Sequence, residues 1–108
     1  MTKSDIRESK GNVFADIGAS NPEQALAKAE LARQIASIIQ ARGLTQTQAA
    51  KILGIDQAKV SALMRGQLRG FSADRLFRFL NALGHDVEIR VKAKAKSRKQ
   101  ARVRVVAA

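Results

Sequence analysis

Residues 44–66 of this chain, LTQTQAAKILGIDQAKVSALMRG, carry the local signals of two short helices separated by a tight turn. Thr45 and Gln48 have the spacing of a capping box, in which two residues three apart satisfy each other's backbone amides at a helix start. Gly54 ends that helix, because glycine readily adopts the left-handed conformation found at helix ends. Asp56 is a typical cap for the helix that follows. The stretch therefore predicts two helices that meet at Gly54.

The apolar residues of the second helix predict which of its faces is buried. Val60, Leu63 and Met64 have the i, i+3, i+4 spacing of a face that packs against a core. The outward and flanking residues are then Gln57, Ala58, Lys59, Ser61, Ala62 and Arg65. This arrangement is typical of a helix-turn-helix, whose second helix enters the major groove of DNA. An ordinary helical hairpin inside a bundle is the alternative interpretation.

Further helix signals flank this motif on both sides. Asn21 followed by Pro22 predicts the start of a long helix, whose apolar residues recur at helical spacing until Gly43. Phe71 before the cap residue Ser72 predicts another helix start. The residues that this last helix should bury are Leu76, Phe77, Leu80 and Leu83. We therefore expect a mainly α fold, a compact helical helix-turn-helix domain with four to five helices.

Near the C-terminus the apolar residues change from helical spacing to alternation with polar residues. Val87, Ile89 and Val91 alternate with polar residues, which predicts one C-terminal β-strand with an apolar face. An unpaired strand edge is a template for another strand, so we expect two copies of the chain to pair these strands as a homodimer. Pairing with residues 103–106 of the same chain is the alternative.

Positive charge is concentrated at one end of the chain. The net charge is +11, and residues 89–108 carry eight Lys or Arg and no acid. This excess indicates a polyanionic partner, with duplex DNA first and an anionic membrane surface second.

The chain is expected to divide into three parts. These are an N-terminal arm over residues 1–20, a DNA-binding domain with its strand over 21–92, and a basic flexible tail over 93–108. The tail either binds the DNA backbone or is merely solvated.

Composition argues against several other classes of protein. The chain has no cysteine and a single histidine, His85, so we expect neither a disulfide nor a metal site, and no cofactor. No nucleophile or phosphate-binding loop accompanies the acids, so we do not expect an enzyme. With four Phe and no Trp or Tyr, stacking on single-stranded nucleic acid is not expected. No apolar run resembles a membrane span or a secretory signal, which predicts a cytoplasmic protein without a membrane partner.

Polar residues in and around the motif are candidates for contacts with double-stranded DNA. Gln46 lies beside the backbone amides of a helix start, where it can contact a phosphate or a flanking base. Gln57 can pair with adenine, and Lys59 with guanine or a phosphate. Smaller contacts to base edges are expected from Ser61, Ala58 and Ala62. The residues expected to neutralise phosphates without reading the sequence are Arg42, Lys51, Arg65 and Arg69.

Residues 44–66 resemble the helix-turn-helix of the Cro/C1-type (XRE-like) regulators. The positions that carry the resemblance are Leu44, Thr45, Gln46, Ala50, Leu53, Gly54, Val60, Ser61, Arg65 and Gly66. The resemblance implies a sequence-specific DNA-binding transcriptional regulator, a repressor that binds a pseudo-palindromic operator as a homodimer. It places at the DNA the residues Gln46, Gln57, Ala58, Lys59 and Ala62.

A wider layout, from NVFADIG to DVEIRV, is similar to HigA-like antitoxins of type II toxin–antitoxin modules. This similarity raises an alternative function, in which the chain neutralises a cognate toxin and autoregulates its operon.

Two departures from the Cro/C1-type pattern bear on the DNA contact. Asp56 stands where Ser or Thr is frequent and places a negative charge toward phosphate. Ala62 and Met64 stand where longer polar residues are frequent, so the surface is poor in side chains that read bases.

Overall fold

A computed structural model describes residues 22–107, which form four α-helices followed by an irregular segment. The helices are α1 (Pro22–Ala41), α2 (Gln46–Leu53), α3 (Gln57–Met64) and α4 (Ala73–Ala82). The expected N-terminal arm and the helix cap at Asn21 lie outside the described residues. The mainly α helix-turn-helix fold is confirmed. None of these four helices combines the length and the apolarity that crossing a membrane requires.

Local hydrogen bonds fix where α2 and α3 begin. The Thr45 hydroxyl accepts from the backbone amide of Gln48 at 3.1 Å, and the Gln48 side chain accepts from the amide of Thr45 at 2.8 Å. Gly54 ends α2 in the left-handed region with φ of 72°. The Asp56 carboxylate accepts from the backbone amide of Lys59 at 2.8 Å. The turn between the two helices is therefore set by residues that also define the helix ends.

The four helices enclose one core, which sets the orientation of α3. α1 packs against α3 and α4, and α2 packs against the same two helices. The largest fully buried side chains are Ile35, Ile39, Val60, Leu63 and Leu76. Burying such a side chain stabilises the fold by about 1.5–3 kcal/mol. Because two of these residues, Val60 and Leu63, belong to α3, its opposite face is turned away from the core.

In α4 the prediction included Phe77, which packs partly against the core, but omitted Phe79, which is buried. Phe77 is half-buried, whereas Phe79 is 5% exposed and packs edge to face against Phe71, with ring centroids 6.0 Å apart. The buried residues of this segment are Leu76, Phe79, Leu80 and Leu83. They follow the i, i+3, i+4, i+7 spacing of one helix face, and Phe77 lies beside that face.

In a single chain, residues 85–107, which follow α4, form neither a helix nor a β-ladder. The alternative pairing of residues 87–91 with 103–106 is therefore not formed. Val87 packs against the helical core, whereas Ile89 and Val91 are 73% and 91% exposed. Since the expected strand pairs with a second copy, the strand and the homodimer stay predictions.

The C-terminal segment turns back toward the start of α1. The backbone amide of Arg98 donates to the carbonyl of Ala95 at 3.1 Å, within a turn. Residues 102–105 then lie beside Glu23 and Leu26 of α1, and Val105 packs against the core. The domain boundary near residue 93 and the flexibility of the tail stay predictions.

Candidate nucleic-acid interface

The outer face of α3 carries most of the predicted base contacts. Gln57, Ala58 and Lys59, in its first turn, are exposed, whereas Ser61 and Ala62 are half-buried. Ala62 packs partly against the core. The first turn of α3 is therefore presented to solvent more fully than the second, and it is the part of the helix that helix-turn-helix proteins direct at base edges.

Gln57 is held in place by the preceding helix. Its side-chain Nε2 donates to the hydroxyl of Thr47 at 2.8 Å. One N–H of the amide is used in this bond, which leaves the second N–H and the carbonyl oxygen for the bidentate pair that glutamine forms with adenine. The role of Thr47 could not be predicted from the sequence, since no periodicity or cap signal links this residue to one ten positions later.

Two of the predicted contact residues, Ser61 and Arg65, bond to each other at the end of α3. The Arg65 Nη1 donates to the Ser61 hydroxyl, and Nη2 donates to the side-chain oxygen of Gln67 at 3.1 Å. These bonds hold the guanidinium along the exposed side of the helix. A guanidinium has five N–H donors, so others remain for a phosphate.

Arg42 has a structural contact that the sequence did not predict. Its Nη1 donates to the backbone carbonyl of Leu83 at 3.1 Å, at the C-terminal end of α4. Terminal helix carbonyls lack partners within their own helix, so this bond satisfies one of them and joins the ends of α1 and α4. The contact between Arg42 and a phosphate stays a prediction.

The other predicted backbone contacts occupy three places around α3. Gln46 is the first residue of α2 and is exposed. Lys51 and Lys59 line one cleft, where the turn between α2 and α3 meets α4. Arg69 is exposed in the loop between α3 and α4. The fold therefore places these side chains on α2, on α3 itself and in the loop that follows α3.

The ion pairs found among the described residues lie within α1 and within α4. Arg33 pairs with Glu30 in α1, and Arg78 pairs with Asp74 at 3.1 Å in α4. The hydrogen bond from Arg33 lowers the pKa of Glu30. None of the residues predicted to bind DNA takes part in these pairs, so their positive charge is not cancelled by a paired carboxylate. Across residues 22–107, no three His, Asp or Glu side chains are grouped as metal ligands would be.

Comparisons with known proteins bear on the same part of the chain. Residues 13–92 match a protein family described as a helix-turn-helix domain. A solved structure provisionally named an XRE family transcriptional regulator is 46% identical, with a TM-score of 0.78. The match covers 82% of this chain and 99% of that one. Among curated proteins, none matches significantly.

Proposed function

The chain belongs to the XRE-like helix-turn-helix family of DNA-binding transcriptional regulators, and we propose that it is a sequence-specific repressor that binds a pseudo-palindromic operator as a homodimer. The observation that carries this proposal is that α3 is buried on one face and exposed at its first turn. Val60 and Leu63 are 0% and 1% exposed and fix the helix in the core, while its first turn is exposed beside α2. A helix held in this way can enter the major groove without rearrangement.

Base recognition in this proposal is concentrated on the first turn of α3. Gln57 reads adenine, and Lys59 reads guanine or binds a phosphate. Ala58 contributes only a methyl contact to a thymine. Because few side chains on this face form two hydrogen bonds with a base, most of the affinity comes from phosphates, which position the protein without specifying sequence. Gln46, at the start of α2, binds one such phosphate.

Dimerisation in this proposal uses the segment after α4. Ile89 and Val91 are exposed and alternate with charged residues, so a second copy of the segment can pair with it and cover both side chains. A twofold dimer places two recognition helices in successive major grooves, roughly 34 Å apart. The operator would then have matching half-sites at that spacing.

Light scattering on the full chain tests the dimer. The expected mass is twice 11.7 kDa, and Ile89→Glu combined with Val91→Glu should reduce it to that of one chain. Glu88→Gln combined with Arg90→Gln is the matched control on the other face, and it should leave the mass unchanged. A single-chain mass for the wild type at micromolar concentration would refute the dimer.

Binding to genomic DNA and its effect on transcription test the repressor function. A gel-shift titration at moderate salt should find a preferred duplex, and the protein should reduce transcription from the promoter that overlaps it. Gln57→Ala should weaken this preference. Arg33→Ala, which removes an exposed cation of α1, is the control and should not. Transcription that is unchanged or increased when the operator is saturated would exclude repression.

Neutralisation of a cognate toxin, with autoregulation through DNA, stays the alternative function. Either terminal segment is a candidate for the toxin contact. Copurification of the chain with the product of the adjacent reading frame would support this alternative, and growth inhibition by that product alone would strengthen it. In both proposals the chain acts by binding in the cytoplasm, without catalysis and without a cofactor.

A further inference from the structure

An open cleft of about 620 Å³ lies where the turn between α2 and α3 meets α4. Three cations, Lys51, Lys59 and Arg75, line this cleft together with one carboxylate, Asp56. The Asp56 carboxylate already accepts from the backbone amide of Lys59 as the cap of α3. Within residues 22–107, none of the three cations forms a salt bridge with an acid. The cleft therefore has an excess of positive charge, which its one carboxylate does not balance.

Arg75 is positioned by two aromatic rings. Its guanidinium carbon lies 5.4 Å from the ring centroid of Phe71 and 5.5 Å from that of Phe79. Both rings are buried, at 3% and 5% exposure, and are themselves fixed by their mutual edge-to-face contact. A guanidinium over a ring face is attracted by the ring's quadrupole. Since Arg75 is already restrained, it loses less conformational freedom when an anion binds.

The cleft lies next to the predicted reading turn. Gln57 and its partner Thr47 line the same cleft as Arg75. The major groove is about 12 Å wide and is bordered by the two phosphate backbones. When the first turn of α3 contacts base edges, side chains beside that turn face one of these backbones.

We propose that this cleft binds a phosphodiester group of the DNA backbone, and that Arg75 is the residue that clamps it, assisted by Lys51 and Lys59. The planar fork of arginine matches two phosphate oxygens, and lysine adds a point charge. The contact fixes the depth and the angle at which α3 enters the groove, but it does not distinguish one base from another. This inference rests on the proposed DNA-binding function.

The test compares full-length variants on two duplexes over a series of salt concentrations. One duplex is the sequence preferred by the wild type, and the other is random. Arg75→Gln should lower affinity for both by about tenfold, as expected for a charge-assisted hydrogen bond. The slope of log K against log salt should fall by about 0.9 for each bound chain, because each chain of the variant neutralises one phosphate fewer. Arg78→Gln, on the same helix but paired with Asp74 and outside the cleft, is the matched control and should change neither quantity.

Lys51→Gln keeps the proposal testable if Arg75→Gln does not fold, because Lys51 is exposed on α2 and is not part of the core. It should reduce affinity and salt slope in the same direction. Wild-type affinity and slope in folded Arg75→Gln would overturn the proposal. So would a variant that binds DNA normally but does not bind poly-glutamate as the wild type does, since the cleft would then serve an acidic protein. A third outcome separates the two proposals: the wild type has no preferred duplex, but the salt slope still falls in Arg75→Gln. That result would contradict the repressor function and support the phosphate contact in the cleft.

Discussion

The side-chain amide of Gln57, the first residue of α3, donates a hydrogen bond to the hydroxyl of Thr47, in the first turn of α2, at 2.8 Å. The bond joins the starts of the two helices of the helix-turn-helix. It therefore connects the helix expected to rest on the backbone with the residue expected to read a base. The orientation of the Gln57 amide is set before DNA arrives, which reduces the entropy cost of its pairing.

Thr47→Val should weaken specific binding without weakening nonspecific binding. Valine has the same shape but no acceptor, so the Gln57 amide is no longer oriented by a bond. A hydrogen bond of this kind is worth about 0.5–1.5 kcal/mol, which corresponds to a loss of roughly 2- to 12-fold in affinity for the preferred duplex. Titration of that duplex and of one changed at the expected adenine measures the loss. Thr47→Ser, which keeps the hydroxyl, should bind like the wild type; equal binding by Thr47→Val would show that the bond does not orient Gln57.

Asp56→Asn should strengthen DNA binding. Asparagine caps a helix about as well as aspartate, so the bond to the backbone amide of Lys59 is kept while the negative charge is removed. A unit charge about 4 Å from a phosphate in water costs about 1 kcal/mol, so affinity should rise by up to roughly fivefold. Asp74→Asn, on α4, is the control and should have no such effect. Weaker binding by Asp56→Asn, in a protein with an unchanged melting temperature, would contradict the expected repulsion.

Leu63→Ala should destabilise the whole domain. Leu63 is 1% exposed and lies in the core between α3 and its neighbours. Truncating a buried leucine costs about 2–5 kcal/mol, a large part of the stability of a small domain. Urea denaturation gives the free energy of unfolding directly. Met64→Ala, at a half-buried position of the same helix, should cost less; a larger loss there than at Leu63 would mean that α3 packs through a different face.

Truncation after Lys92 should reduce affinity and salt dependence but leave the preferred sequence unchanged. The deletion removes six cations, and each one that contacts a phosphate contributes about 0.9 to the salt slope. It also removes Val105, which packs against the core, so a full-length variant with the six cations changed to glutamine is the matched control. Salt dependence should fall equally in both proteins. An altered sequence preference would show that the tail reads bases.

The helix ends could be predicted from the sequence because their causes are local. The capping box of Thr45 with Gln48, the left-handed Gly54 and the caps at Asp56 and Ser72 each depend on residues within four positions. The buried stripe of α3 depends on the period of one helix. These features do not depend on how the helices pack against one another, so the helix-turn-helix could be predicted from 23 residues, 44–66.

The contacts that complete the candidate site could not be predicted in this way. The bonds of Gln57 to Thr47 and of Arg42 to Leu83 depend on how whole helices cross. The position of Arg75 over the Phe71 ring is a local contact, but it depends on which side chains the helix turns inward. The omission of Phe79 from the predicted buried face has the same origin. The period of a helix limits which residues can face inward, but packing against the other helices determines which of them are buried.

The exposed first turn of α3 is expected to read a specific duplex as part of a twofold dimer. Selection of bound duplexes from random DNA tests this claim most directly, with wild type and Gln57→Ala compared at the same salt concentration. We predict enrichment of one pseudo-palindrome whose half-site centres lie about 10–10.5 base pairs apart, and loss of preference at one symmetric pair of positions with Gln57→Ala. Absence of any enriched sequence for the wild type, or identical preferences for both proteins, would contradict it.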